Sequence, residues 1–148
     1  MSRLQTIRSL VRASLCDDVR LFLKAAKKAV LLDPPISIND CVRGIGNTRR
    51  ARQSIIHVVA FHNAIGVLKT ILKEENASKL SAGFCQNIAW DDTDGCEWTC
   101  AHHACFVKNY DIVKLLFARF PATFYDHGVE LLHLACMSTD WFPPECLI

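Results

Sequence analysis

The sequence predicts an all-α solenoid of stacked antiparallel helix pairs, about three and a half irregular units in 148 residues. Three observations carry that prediction. The segments SIIHVVAFHNA (54–64), TCAHHACFVKN (99–109) and ELLHLACMSTD (130–140) align without gaps over eleven residues. Each has His at its fourth place and Ala or Cys at its seventh. An aliphatic run then follows the first two at the same offset, Val67 to Leu72 and Ile112 to Phe117.

The elements follow in chain order. The first unit spans about 5–32 and is the weakest, because ASLCDDVRLFLKAA (13–26) lacks the Thr/Ser-x-x-His entry. Asp33-Pro34-Pro35 ends its second helix, since proline cannot continue one. A link at 33–52 follows, holding Gly44, Gly46 and the basic run Arg49-Arg50-Ala51-Arg52 with Arg43 nearby, read as a solvated loop. The second unit covers 53–73. Ser54 caps its first helix, and the aliphatic stripe of its second helix turns toward the neighbouring layer. The repeat histidines lie at 57, 102 and 133, so the first gap exceeds the second, which implies an insertion at 74–93. Phe84, Ile88 and Trp90 within it predict that part of the insertion packs back. Asp94-Gly95 is a turn dipeptide at the entry to the third unit, 94–121, and Thr99 caps its first helix. The fourth unit, 128–148, breaks off in Trp141-Phe142-Pro143-Pro144 before its second helix is complete. An alternative expectation is that the chain is a fragment of a longer array, whose activity would lie in a different domain.

The pattern resembles the ankyrin repeat, whose core reads T-P-L-H-x-A-A followed by a loop and an aliphatic helix. TCAHHACFVKNYDIVKLLF (99–117) matches it best. The resemblance covers most of the chain as a single array, 1–148. It implies a non-enzymatic module that binds another protein through its concave face and hairpin tips. In such units the two residues after the small pair sit on the inner helix and face that concave surface. Leu15, Phe61, Phe106 and Met137 would then stack as an exposed apolar ridge, flanked by His62 and Val107, with Trp98 extending it at the hairpin. Exposed contiguous apolar surface with aromatic anchors marks a docking site.

Composition bounds the alternatives. About half of the residues are apolar, which excludes a disordered chain. The net charge of +2 conceals a split of +8 over residues 1–74 and −6 over residues 75–148. Such a balance steers and orients a protein partner but does not describe a nucleic-acid binder. The apolar stretch 54–72 is interrupted by His57, His62, Asn63 and Lys69, so no membrane span is expected. The eight cysteines have irregular spacing, which favours reduced thiols in the cytoplasm, with the nucleus as alternative; a monomeric chain is expected separately.

Cys96, Cys100, His102, His103 and Cys105 form the densest cluster of metal-type ligands, and a zinc- or thiol-reactive protein is the remaining alternative. Cys100, His102 and Cys105 already occupy repeat positions, however, so they read first as packing residues. No P-loop, G-x-S-x-G or G-x-G-x-x-G is present. No catalytic residue, cofactor or metal is therefore assigned.

Overall fold

A computed structural model describes residues 2–42, 53–77 and 83–137. These form eight α-helices: α1 (Arg3–Cys16), α2 (Val19–Leu31), α3 (Ile55–Phe61), α4 (Ile65–Asn76), α5 (Cys100–Phe106), α6 (Tyr110–Arg119), α7 (Pro121–Asp126) and α8 (Gly128–Cys136). The chain is all-helical over the described residues. Helices α1, α3, α5 and α8 lie side by side, each packed on the next. Helices α2, α4 and α6 form a second row, each packed on its own partner of the first row and on its neighbours.

Local chemistry sets the helix starts. Ser2 caps α1 through a box with Gln5, whose backbone N–H donates to Ser2 Oγ at 3.2 Å while Ser2 N–H donates to Gln5 Oε1 at 2.9 Å. Asp18 caps α2, accepting from Leu21 N–H at 3.0 Å. At α3 and α5 the third helical residue is a histidine, and its Nδ1 accepts the N–H of Ser54 or Thr99 at 3.1 Å in both cases. The Ser/Thr-x-x-His pattern is thus a capping box with imidazole in place of the usual Glu or Gln.

The turns between paired helices repeat more faithfully than the sequence does. A left-handed residue stands two places before the second helix of each of three units: Asp17 (φ 53°), Asn63 (φ 56°) and Lys108 (φ 61°). Asp and Asn tolerate this conformation because their short polar side chains bond locally.

These same turns join neighbouring units. The Asp17 carboxylate accepts the N–H groups of Gly66 (3.2 Å) and Val67 (2.8 Å), capping α4 from the preceding unit. Gly66 suits this close approach, since a Cβ would stand 3.1 Å from Asp17 Oδ1 and 3.2 Å from Val19 Cγ2 and would push both side chains aside. Asn109 Nδ2 donates to the carbonyls of Ala60 (2.9 Å) and Phe61 (3.2 Å) at the end of α3. Lys108 Nζ donates to the Met137 carbonyl beyond α8.

One continuous core runs through both rows, from Leu10 and Phe22 through Ile55, Val59 and Ile71 to Ile112 and Leu131. Small residues at Ala13, Ala25, Ala29, Ala60, Ala64 and Ala104 let the helices approach closely. Helix α3 is buried from Ile55 to Ala60 because α1 and α5 flank it and α4 covers it.

The links are more ordered than the sequence predicts. Ile36, Ile38 and Val42 are buried, so the described part of 33–52 contributes to the core. The basic run and Arg43 lie outside the described residues. Phe84, Cys85 and Trp90 of the insertion are buried, as the aromatic content implies; Phe84 meets Phe22 edge-on at 6.1 Å, and Trp90 Nε1 donates to Glu75 Oε2 at 2.8 Å. The two links hold each other: Asn39 Nδ2 donates to the Asn87 carbonyl at 2.8 Å, and Ala89 N–H donates to Asn39 Oδ1 at 2.9 Å.

The fourth unit departs from its expected register. Helix α8 begins at Gly128, two residues before the predicted entry, because Glu130 does not cap in the way that Ser54 and Thr99 do. His133 consequently sits in the last turn, exposed to solvent. The extra helix α7 starts on Pro121 at its first position, a residue pre-set for a helix start. The predicted second helix of this unit lies outside the described residues.

Candidate functional site

All the predicted partner-binding residues except Trp98 lie at the C-terminal ends of the first-row helices, and Trp98 lies in the hairpin before α5. Leu15 is next to last in α1, Phe61 and Phe106 are the last residues of α3 and α5, and His62, Val107 and Met137 are C-cap residues. Leu15 is 38% exposed, and Phe61, His62, Val107, Met137 and Trp98 are half-buried.

Phe106 contradicts the exposed ridge, since only 1% of its surface is accessible. Helices α3 and α8 flank α5 on both sides, and Trp98 folds down from the hairpin to meet the Phe106 ring edge-on at 5.2 Å. Trp98 also stacks on His102 at 6.3 Å and meets His103 at 5.2 Å. The exposed strip is therefore broken at α5: Val107 and the outer side of Trp98 stand where Phe106 was expected.

Behind this strip lies a polar network that ties the hairpin to α3 and α5. Asp94 is 4% exposed and organises the turn, its Oδ1 accepting the N–H groups of Cys96 (2.9 Å) and Trp98 (3.1 Å). His103 Nε2 donates to its other oxygen at 2.5 Å. Burial alone would push the Asp94 carboxyl up, but the His103 bond and the two amides reverse this and hold it down at about 2. His57 Nδ1 accepts from Ser54, so its proton sits on Nε2, which donates to the Asp92 carbonyl at 2.9 Å. Burial, with nearby His103, lowers the His57 pKa to about 4, and the ring is neutral. His103 Nδ1 is buried without a hydrogen-bond partner.

The cysteine cluster does not assemble. Cys100 and Cys105 are buried, and burial pushes their thiols up to about 12 and about 11. Cys100 Sγ donates to the Trp90 carbonyl at 3.6 Å, and His103 is engaged by Asp94. Both thiols act as small core residues, far from the thiolate form that reacts or ligates. Among the described residues one other group of donors does converge, His102, His127 and Glu130. His102 Nε2 donates to Glu130 Oε2 at 2.8 Å, and His127 Nδ1 lies 3.5 Å from the same oxygen. Burial lowers the His102 pKa, and its bond to Glu130 is the leading cause that lowers the carboxyl. Sequence reasoning missed His127 and Glu130, although His-x-x-Glu across a helix start is the spacing that brings both side chains onto one turn.

Comparison with family models, with curated proteins and with solved structures finds no match to this chain. Among the described residues, no helix is long and apolar enough to cross a membrane.

Proposed function

We propose that the chain is an ankyrin-type solenoid that binds another protein and carries out no reaction of its own. Three features support the repeat assignment. The imidazole capping box recurs at α3 and α5, the left-handed turn recurs in three units, and each helix pair packs on its neighbours in the stack. The observation that carries the binding role is the line of accessible apolar side chains at adjacent first-row helix ends. Leu15, Phe61 with His62, Val107 and Met137 come from four successive units, with Trp98 beside them. Spread over a rigid scaffold, such a line offers aromatic and aliphatic anchors at little entropic cost. The basic first half and acidic second half of the chain would fix the orientation in which a partner lands.

The test is affinity capture with the wild-type chain and with a Leu15→Glu/Val107→Glu double variant. Leu15 is exposed and Val107 half-buried against the core, so the thermal midpoint of the variant is measured alongside and only a folded variant is scored. A partner retained by wild type and lost by the folded variant supports this face. An unchanged set of captured proteins removes it.

A further inference from the structure

We propose that His102, His127 and Glu130 form a three-ligand site for zinc or a chemically similar divalent transition metal, with solvent completing the coordination. The site joins two neighbouring helices: His102 is the third residue of α5, His127 is the N-cap of α8, and Glu130 is the third residue of α8, within its first turn. Their donor atoms all lie within 4.8 Å of one another. A tetrahedral ion with bonds of about 2.0–2.1 Å separates its donors by about 3.3 Å. The two spacings to Glu130 Oε2, 2.8 Å and 3.5 Å, bracket that edge, and the two imidazole nitrogens, within 4.8 Å of each other, close on it as the exposed His127 moves in.

The ligands differ in rigidity in a useful way. The His102 side chain is 3% exposed, clamped by its capping box and stacked on Trp98, so its Nε2 points in a fixed direction. His127 and Glu130 are 40% and 66% exposed and can close on an arriving ion. The His102 and His127 rings meet edge-on at 5.0 Å. Two imidazoles with one carboxylate suit zinc, cobalt, nickel or copper better than calcium or magnesium, which prefer oxygen alone.

Binding requires a tautomer change, and the structure holds the partner for it. In the described arrangement the His102 proton sits on Nε2 and is donated to Glu130. When an ion takes Nε2, that proton moves to Nδ1, which lies 2.7 Å from Thr99 Oγ1 and then donates to it. An outer hydrogen bond of this kind is what orients metal-bound histidines. The Thr99 N–H gives up its acceptor in the exchange, which makes binding weaker than at a histidine free of this cap.

The experiment titrates zinc, and separately cobalt, into the full-length, reduced, metal-free protein. One equivalent of cobalt should bind without the charge-transfer absorption of a thiolate ligand, and zinc should raise the thermal midpoint. His127→Ala and Glu130→Gln should each weaken binding at least tenfold. Both side chains reach solvent, so these variants stay folded; His102→Ala is avoided because it breaks a capping box. Cys96→Ser and His133→Ala, on the shallow cleft beside the cluster, should bind as wild type does. No saturable binding, equal binding by the His127 and Glu130 variants, or a thiolate-type cobalt spectrum would each overturn the proposal.

Discussion

Replacing His57 by Gln separates the capping role of this ring from its proton chemistry. In the folded chain His57 titrates at about 4, against 6.5 for an unrestrained imidazole, because burial and neighbouring His103 disfavour the cation. Protonation would also turn Nδ1, the acceptor for Ser54 N–H, into a donor. Since the folded value is depressed, the unfolded chain binds more protons between about pH 6.5 and pH 4. The contribution is fully present above that window and is lost as the pH falls through it. At pH 7 about a quarter of the unfolded rings carry a proton and almost none of the folded ones do. At pH 5 the unfolded ring is almost fully charged while only about a tenth of the folded rings are, and integrating between these points costs about 2 kcal/mol. Gln at the same position retains an oxygen to accept from Ser54 and an N–H to donate to Asp92, but it does not titrate in this range. Urea unfolding at pH 7 and pH 5 reads the result. The wild type should lose about 2 kcal/mol more than His57→Gln does across that interval. Equal losses would refute the assignment of a neutral, buried His57.

Phe106→Ala should cost about 3–4 kcal/mol, the value for emptying a buried aromatic site, whereas Leu15→Ala should stay within about 0.5 kcal/mol. Similar thermal midpoints for the two variants would return Phe106 to the surface. Asp17→Asn preserves a residue type that tolerates the left-handed turn but removes the charge and one of the two acceptors for the α4 amides. It should cost about 1 kcal/mol in denaturant unfolding, and no change would show that α4 needs no cap from the unit before it.

How far the sequence discloses this structure depends on the range of the interaction. Ser54 with His57 and Thr99 with His102 are local signals, each complete within four residues, and the helices start where they indicate. Asp94 was legible as a turn residue; its grip on His103 was not, because that bond joins the hairpin to a helix buried behind it. Phe106 failed for a related reason. Register places it correctly at the end of α5, but its exposure was decided by Trp98, which folds over it. Helix α8 began early because Glu130 lacks the cap chemistry of Ser54 and Thr99, which displaced His133 from its expected role and brought His127 beside Glu130. Ile36 and Ile38 looked like linker residues only because a short apolar pair carries no helical period.

Three of the bonds between units originate in the turns: Asp17 reaches α4, Asn109 reaches the end of α3, and Lys108 reaches beyond α8. Both long inserted stretches fall elsewhere, after the second helix of a pair, where none of these three bonds is anchored. Segments can therefore be inserted there without touching the turn-borne bonds, provided that Ile36, Ile38, Phe84 and Trp90 keep their places in the core and Asn39 keeps its bonds to Asn87 and Ala89. That separation offers a route by which related chains could acquire new surface while inheriting the same stack. It also marks the junctions, rather than the short turns, as the places to graft a binding loop.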